Sequence, residues 1–338
     1  MTRITLTRRH FALGAAALLA APARAQAASW GTIVDQLRQE DQAHALLVLQ
    51  DGQVALRERF RGPALSRFVP IKSVSKSVVA ALLGAALDRG EVADVTQTIA
   101  GLAPRLIPAS AAEAVDTITL ADLVTMQAGL ERTSGANYGE WVSSRNWVAN
   151  ALSRPMVARP GAGMLYSTGS FHILGAVLAE VTGKSLLAQA RERLGAPLGI
   201  EIPAWVRDPQ GYYLGGNEMA LTIDAMAAFG ELYRRRGQVG DAQVLSQRWV
   251  RASFQAHTRS FFSGLSYGYG WFLGRGGGVQ YALARGYGGQ IICVAPDLAL
   301  TVVITSDPTR PARSAGYFGD LQRLIENTIL PLARQQMG

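Results

Sequence analysis

Residues 71–87, IKSVSKSVVAALLGAAL, constrain the fold more than any other stretch of this chain. From Val78 to Leu87 every residue is apolar or glycine, so a helix here is apolar on all sides and must run through the protein interior. Its first turn, by contrast, carries Ser73, Ser75, Lys76 and Ser77. Positions 73, 76, 77, 80 and 84 share one helix face and form a small polar stripe of Ser, Lys, Ser, Ala and Gly. Lysine is scarce: Lys72, Lys76 and Lys184 stand beside thirty arginines. A lysine at the mouth of a buried helix loses solvation and faces the positive helix end. Both effects lower its pKa, which is what an amine base requires. Ser73, three residues earlier, is the hydroxyl such a base would activate. A plain serine N-cap with the lysine snorkelling to the surface fits the same residues, and the local sequence leaves both open.

Strand patterns lie at the two ends of the chain. HALLVLQDGQVALRERF reads as a hairpin turning at Asp51-Gly52. YGYGWFLG, VQYALAR, GGQIICVAP and LALTVVITS read as strands near the other end, followed by an amphipathic helix near 314–335. Between about 95 and 260 the pattern is mainly helical, as in TLADLVTMQAGL, GSFHILGAVLAEVTG and IDAMAAFGELYRRRG. The expectation is an α/β (α+β) fold: one antiparallel sheet built from about 30–90 and 262–335, flanked by terminal helices. An all-helical part, about 91–261, is inserted in it. At 338 residues, 49% of them hydrophobic, the chain can bury this core without disulfide or metal staples.

Residues 1–25 read as an export leader rather than as part of the fold, leaving 26–335 as the folded domain. The stretch has a basic start, an apolar run from Phe11 to Ala21 and Ala23-Arg24-Ala25 as a cleavage site. Thr7-Arg8-Arg9-His10-Phe11 resembles a twin-arginine signal, which the export machinery reads. A periplasmic or secreted protein is expected, with no integral membrane segment after the leader is removed. Removing the leader's four arginines takes the net charge from +8 to +4, too modest to suggest a nucleic-acid partner. Cys293, the single cysteine, lies in an apolar run and reads as a buried small hydrophobe.

Two further elements stand out. Tyr166 stands just ahead of a helix whose start Ser167, Thr168 and Ser170 can cap. ARGYGGQIICVAP is a glycine-rich approach to a strand, where a ligand or another backbone can come close. The N–H groups of such an edge can also serve an oxyanion.

Together with SVSKS, ITLADLVTMQAGLE, MALTIDAMAAFGELYRRRG and YGYGWFL, these elements resemble the serine beta-lactamase and penicillin-binding-protein superfamily. The resemblance is to its class C beta-lactamase-related hydrolases, the 6-aminohexanoate-dimer hydrolase and esterase branch, and runs from about 30 to 335. It implies a beta-lactamase/transpeptidase-like fold and an S-x-x-K mechanism that cleaves an ester or amide of a small molecule. Ser73 would be the nucleophile, with Lys76 and Tyr166 moving its proton. The backbone N–H groups of Ser73 and Tyr287 would form the oxyanion hole. Thr168, Gly286 and Gly288 would lie beside the substrate.

Two departures bear on the substrate. The family's Tyr-x-Asn is here Tyr166-Ser167-Thr168, and its Lys-Thr-Gly or His-Thr-Gly is Ala284-Arg285-Gly286. The basic residue that would grip a substrate carboxylate is missing, and strand alternation aims Arg285 to the face opposite residue 284. Beta-lactams and D,D-peptides therefore become weaker candidates than other esters and amides. A non-catalytic peptidoglycan-binding protein and an acyltransferase are the remaining readings.

Gly264-Leu265-Ser266-Tyr267-Gly268 matches a nucleophile elbow, but no histidine follows His257 to complete a triad. His44, His172 and His257 have no metal-like spacing, so no metal or cofactor is expected and structural roles are.

Overall fold

The computed structural model describes residues 29–337, so the expected leader lies outside the described residues. Eight strands form the main sheet. They are β1 (Ala43–Gln50), β2 (Gln53–Arg59), β3 (Thr258–Arg259), β4 (Ser266–Tyr267), β5 (Phe272–Gly276), β6 (Val279–Gly286), β7 (Gln290–Ala295) and β8 (Leu300–Ser306). Asp51 and Gly52 take φ of +48° and +75°, the left-handed pair that a two-residue hairpin turn needs. β1 then pairs antiparallel with β8, from Ala43 opposite Ser306 to Gln50 opposite Leu300. The two ends of the chain thus close one sheet, in the order β2-β1-β8-β7-β6-β5-β4-β3.

β7 and β8 are buried at every residue because both faces of the sheet are covered. One face carries the terminal helices α1 (Trp30–Gln39), α5 (Tyr317–Leu324) and α6 (Leu330–Gln335). Trp30 Nε1 donates to Gln336 Oε1 at 3.2 Å and Gln50 Nε2 to the Ala333 carbonyl at 2.8 Å, tying those helices to each other and to β1. α4 (Ile223–Arg234) lies along β7 and β8. Its place in the chain assigned it to the inserted part; helical period identifies a buried face but not the partner that buries it.

α2 (Ser75–Asp88) packs against α3 (Thr168–Thr182) and is buried at every residue from Ser75 to Ala86. The sequence placed the helix start at Ser73. Instead, Lys72–Val74 form a 3₁₀ turn and the α-helix begins two residues later, which leaves Ser73 at a tight corner. Between 91 and 219 the chain forms short helices and loops beside α2 and α3, and returns by pairing Ala220–Leu221 with Val69–Pro70. Among the described residues, no single helix is long and apolar enough to cross a membrane.

Candidate active site

The corner at Ser73 is held by residues 216–219. The Ile71 amide donates to the Met219 carbonyl at 2.9 Å. Ser75 Oγ donates to the Lys72 carbonyl at 2.6 Å and accepts from the Met219 amide at 3.3 Å. Lys72 and Glu218 have φ of +52° and +63°, left-handed values that cost a non-glycine residue roughly 1 kcal/mol. Their side chains pair at 3.2 Å. Strain of this kind persists where surrounding contacts over-determine the backbone, and here it aims Ser73 at Lys76.

Lys76 is 1% exposed. Its three N–H donors have three oxygens within reach: Ser73 Oγ at 3.0 Å, Thr168 Oγ1 at 3.2 Å and the Gly216 carbonyl at 2.6 Å. Among the described residues no carboxylate pairs with it. Burial takes its ammonium down to about 7. The snorkelling alternative is thereby excluded.

Tyr166 stacks on Phe272 (6.2 Å between centroids, 24°) and meets Phe262 edge-on (5.6 Å, 84°). Its ring lies 5.0 Å from Lys76 Nζ. Burial raises the phenol above its usual value, against the Ser73 hydroxyl and the Arg285 charge, which pull it down. The helix behind it is not capped as the sequence suggested. The Ser167 side chain makes no cap; the Thr168 amide donates to Ser134 Oγ at 2.9 Å and the Gly169 amide to Thr133 Oγ1 at 2.7 Å. Thr133 and Ser134 come from a distant loop, which capping rules based on neighbours in sequence cannot reveal.

Gly286 closes the other wall. A Cβ there would sit 2.3 Å from the Ile71 carbonyl, so only glycine lets the end of β6 press against the Ser73 corner. Tyr287 follows, half exposed at the cleft rim. Among the described residues, neither the Ser73 nor the Tyr287 amide is engaged in a turn or cap hydrogen bond.

These elements enclose a cleft of about 600 Å³, lined among others by Ser73, Tyr166, Thr168, Gly286 and Tyr287. Gly288 is not brought to it: its carbonyl accepts from Gln42 Nε2 at 3.1 Å, behind the rim. The Thr168 hydroxyl is already shared between Lys76 and Ser134 Oγ, the latter at 3.0 Å. The sequence missed Ser134, Gly216 and Glu218; the paired glycines at 215–216 were the available signal of a close backbone approach.

Arg285 corrects an expectation. It does leave the strand on the face opposite Ala284, yet its guanidinium lines the cleft where the sheet ends. The Cζ stands 3.6 Å from the Phe318 centroid and 4.9 Å from that of Phe272. Nη2 donates to Ser314 Oγ at 3.0 Å, and buried Nη1 has no partner. Burial lowers this guanidinium to about 10, so it remains charged at neutral pH.

Arg285→Met is therefore expected to keep Tm within a few degrees of wild type or raise it, because it removes a buried charge that has no counter-ion among the described residues. It should also move the basic limb of any Tyr166-dependent pH profile upward, since the charge holding the phenol down is gone. A large drop in Tm with an unmoved basic limb would contradict both points.

The competing motifs fall elsewhere. Ser266 sits in the short strand β4, with no strand-turn-helix elbow around it, and Cys293 is buried in β7.

An eight-stranded antiparallel sheet, closed by both chain ends and carrying an inserted helical part, is the beta-lactamase/transpeptidase fold, a fold of serine hydrolases. The beta-lactamase family profile matches residues 32–325, and the chain belongs to that family. No curated protein matches the sequence. Among solved structures, a Bacillus anthracis protein described as a 6-aminohexanoate-dimer hydrolase superposes with a TM-score of 0.73 at 19% identity, over 90% of this chain and 82% of that one. A Bacteroides dorei protein described as a beta-lactamase gives 0.74 at 17% identity, over 90% and 98%. EstCE1, a hydrolase with promiscuous acyltransferase activity, gives 0.67 at 18% identity, over 82% and 93%. At these identities the likeness is one of fold.

Proposed function

We propose that this protein is an exported serine hydrolase that cleaves ester or amide bonds of a small molecule through an acyl-enzyme on Ser73. The observation that carries this reading is the 3.0 Å contact between Ser73 Oγ and the amine of Lys76, with burial holding that amine down to about 7. At neutral pH a large share of Lys76 is then the free base, while Tyr166, pushed upward, keeps its proton.

Lys76 takes the Ser73 proton as Oγ attacks the carbonyl carbon. Tyr166, beside both, passes a proton to the leaving alcohol or amine, and the proton held on Lys76 restores the phenol. The carbonyl oxygen, negative in the tetrahedral intermediate, lies between the Ser73 and Tyr287 amides. Water then cleaves the acyl-serine ester, giving its proton back through the same pair and releasing the acid.

The twin-arginine-like leader supports export to the periplasm or beyond. A Thr168 hydroxyl already engaged by Lys76 and Ser134 supports acyclic esters and amides over beta-lactams.

Intact-mass measurement after exposure to a fluorophosphonate, an activated ester and a beta-lactam, beside Ser73→Ala, tests the reading. Expected is an adduct on wild type only, formed faster with the ester than with the beta-lactam. Adduct formation should rise through about pH 7 as Lys76 loses its proton. A folded wild type that takes no adduct from any reagent would leave a binding protein on the same fold.

A further inference from the structure

The buried pair His172–Asp208 lies outside the cleft, yet it touches the segment that holds Lys76. His172 stands one turn beyond Thr168 on α3, between Trp141 and Trp147, with ring centroids at 5.7 and 5.6 Å. Its Nε2 is 3.0 Å from Asp208 Oδ2, and both side chains are 0% exposed. On the far side of the ring, Nδ1 accepts from the Gly215 amide at 3.4 Å. A ring nitrogen that accepts carries no proton, so the proton sits on Nε2 and is donated to the carboxylate; Asp208 thereby selects the tautomer. Asp208 Oδ1 in turn accepts the Gln210 and Tyr212 amides, each at 2.9 Å, which anchors the carboxylate to the backbone.

Gly215 and Gly216 then pass between α3 and α2. A Cβ at 215 would stand 2.1 Å from the Phe171 carbonyl oxygen, and one at 216 would stand 2.9 Å from Phe171 Cβ and 3.2 Å from Lys76 Cγ. Backbone without side chains is what fits here, and it delivers the Gly216 carbonyl to Lys76 Nζ at 2.6 Å, the shortest of the lysine's three contacts. The other groups facing the amine are the Ser73 and Thr168 hydroxyls and the Tyr166 ring.

We propose that His172 and Asp208 are positioning residues for Lys76, acting through Gly215-Gly216 to aim the Gly216 carbonyl at the amine. The catalytic consequence rests on Lys76 being the base of a serine hydrolase, whereas the positioning itself can be read without any activity. A carbonyl that accepts from the amine favours its charged form. Loosening that contact leaves only the Ser73 and Thr168 hydroxyls against the burial, so Lys76 should titrate lower still.

Asp208→Asn is the near-isosteric test. With its oxygen kept on Gln210 and Tyr212, the new amide can only donate to Nε2; the ring proton moves to Nδ1 and meets the Gly215 N–H as a second donor. The flipped amide would instead set two donors against the Gln210 and Tyr212 amides. Because the chain has three lysines, protein labelled with [¹³Cε]lysine gives three signals, and Lys76→Met assigns one of them. The Lys76 midpoint is expected about one pH unit lower in Asp208→Asn than in wild type, with that of Lys184 unmoved.

His172→Phe, which fills the space between the two tryptophans without a nitrogen, should shift it in the same direction and decides the matter if the first variant does not fold. An unmoved Lys76 midpoint in the folded variants overturns the proposal. A wild type that takes no acyl adduct would overturn the hydrolase reading instead, and leaves this titration equally decisive.

Discussion

Lys76→Met is expected to lower kcat/KM for a neutral ester by roughly 10³-fold while leaving the protein folded. Methionine is unbranched like lysine and one atom shorter, and it suits a position that is 1% exposed. The change removes an amine whose charge the interior already disfavours, so the desolvation cost of that charge disappears with it. Against this, the Gly216 carbonyl loses its partner, which costs about 1–3 kcal/mol. The two terms have opposite sign and similar size, so Tm should change little. Activity has no such compensation, because among the described residues no other base lies within hydrogen-bond reach of Ser73 Oγ except the Tyr166 phenol, which burial keeps protonated. What activity remains should also lose the rise through about pH 7, since the group responsible is gone. Ester hydrolysis and thermal melting of the same sample decide it. A variant within tenfold of wild type, with the rise intact, would remove Lys76 from the mechanism.

Gly286→Ala should cost about 100-fold in kcat/KM through a single methyl group. The added Cβ would lie 2.3 Å from the Ile71 carbonyl and 2.9 Å from Gln290 Cβ. The first of these is backbone, one peptide away from the strained Lys72-Ser73 corner, so relief requires the strand end or the corner to move. Either movement separates the Ser73 and Tyr287 amides, the two donors that an oxyanion needs in fixed register. Overpacking of this kind costs about 1–3 kcal/mol of stability as well. Gly163→Ala, at a site with nothing within 4 Å of the added carbon, is the control and should behave as wild type. Hydrolysis rates and adduct formation on both variants check the point. Full activity in Gly286→Ala would mean that the close approach of β6 has no catalytic purpose.

Much of this protein follows from local pattern in the chain. The apolar run 78–87 can only be an interior helix, because no orientation hides all of its faces at a surface. The alternating and continuous apolar runs at both ends can only be strands of a covered sheet, and Asp51-Gly52 dictates the first hairpin. Ser73 and Lys76 sit three residues apart, a spacing that puts them on one face of a helical turn, although the corner that aims Ser73 is held by residues 216–219.

What tertiary structure decided is everything that depends on partners distant in sequence. The cap of α3 comes from Thr133 and Ser134, and the third oxygen on Lys76 comes from Gly216. Arg285 obeys strand alternation and still reaches the cleft, because the rule fixes the face a side chain leaves from, not where a long side chain ends once the sheet stops. α4 carries an ordinary helical pattern whose buried side says nothing about whether a sheet or another helix covers it. The pKa of Lys76 shows the division most directly: its first-turn place on an apolar helix gives the direction of the shift. Its value of about 7 needs full burial with no carboxylate alongside, a condition set by segments that only folding brings to residue 76.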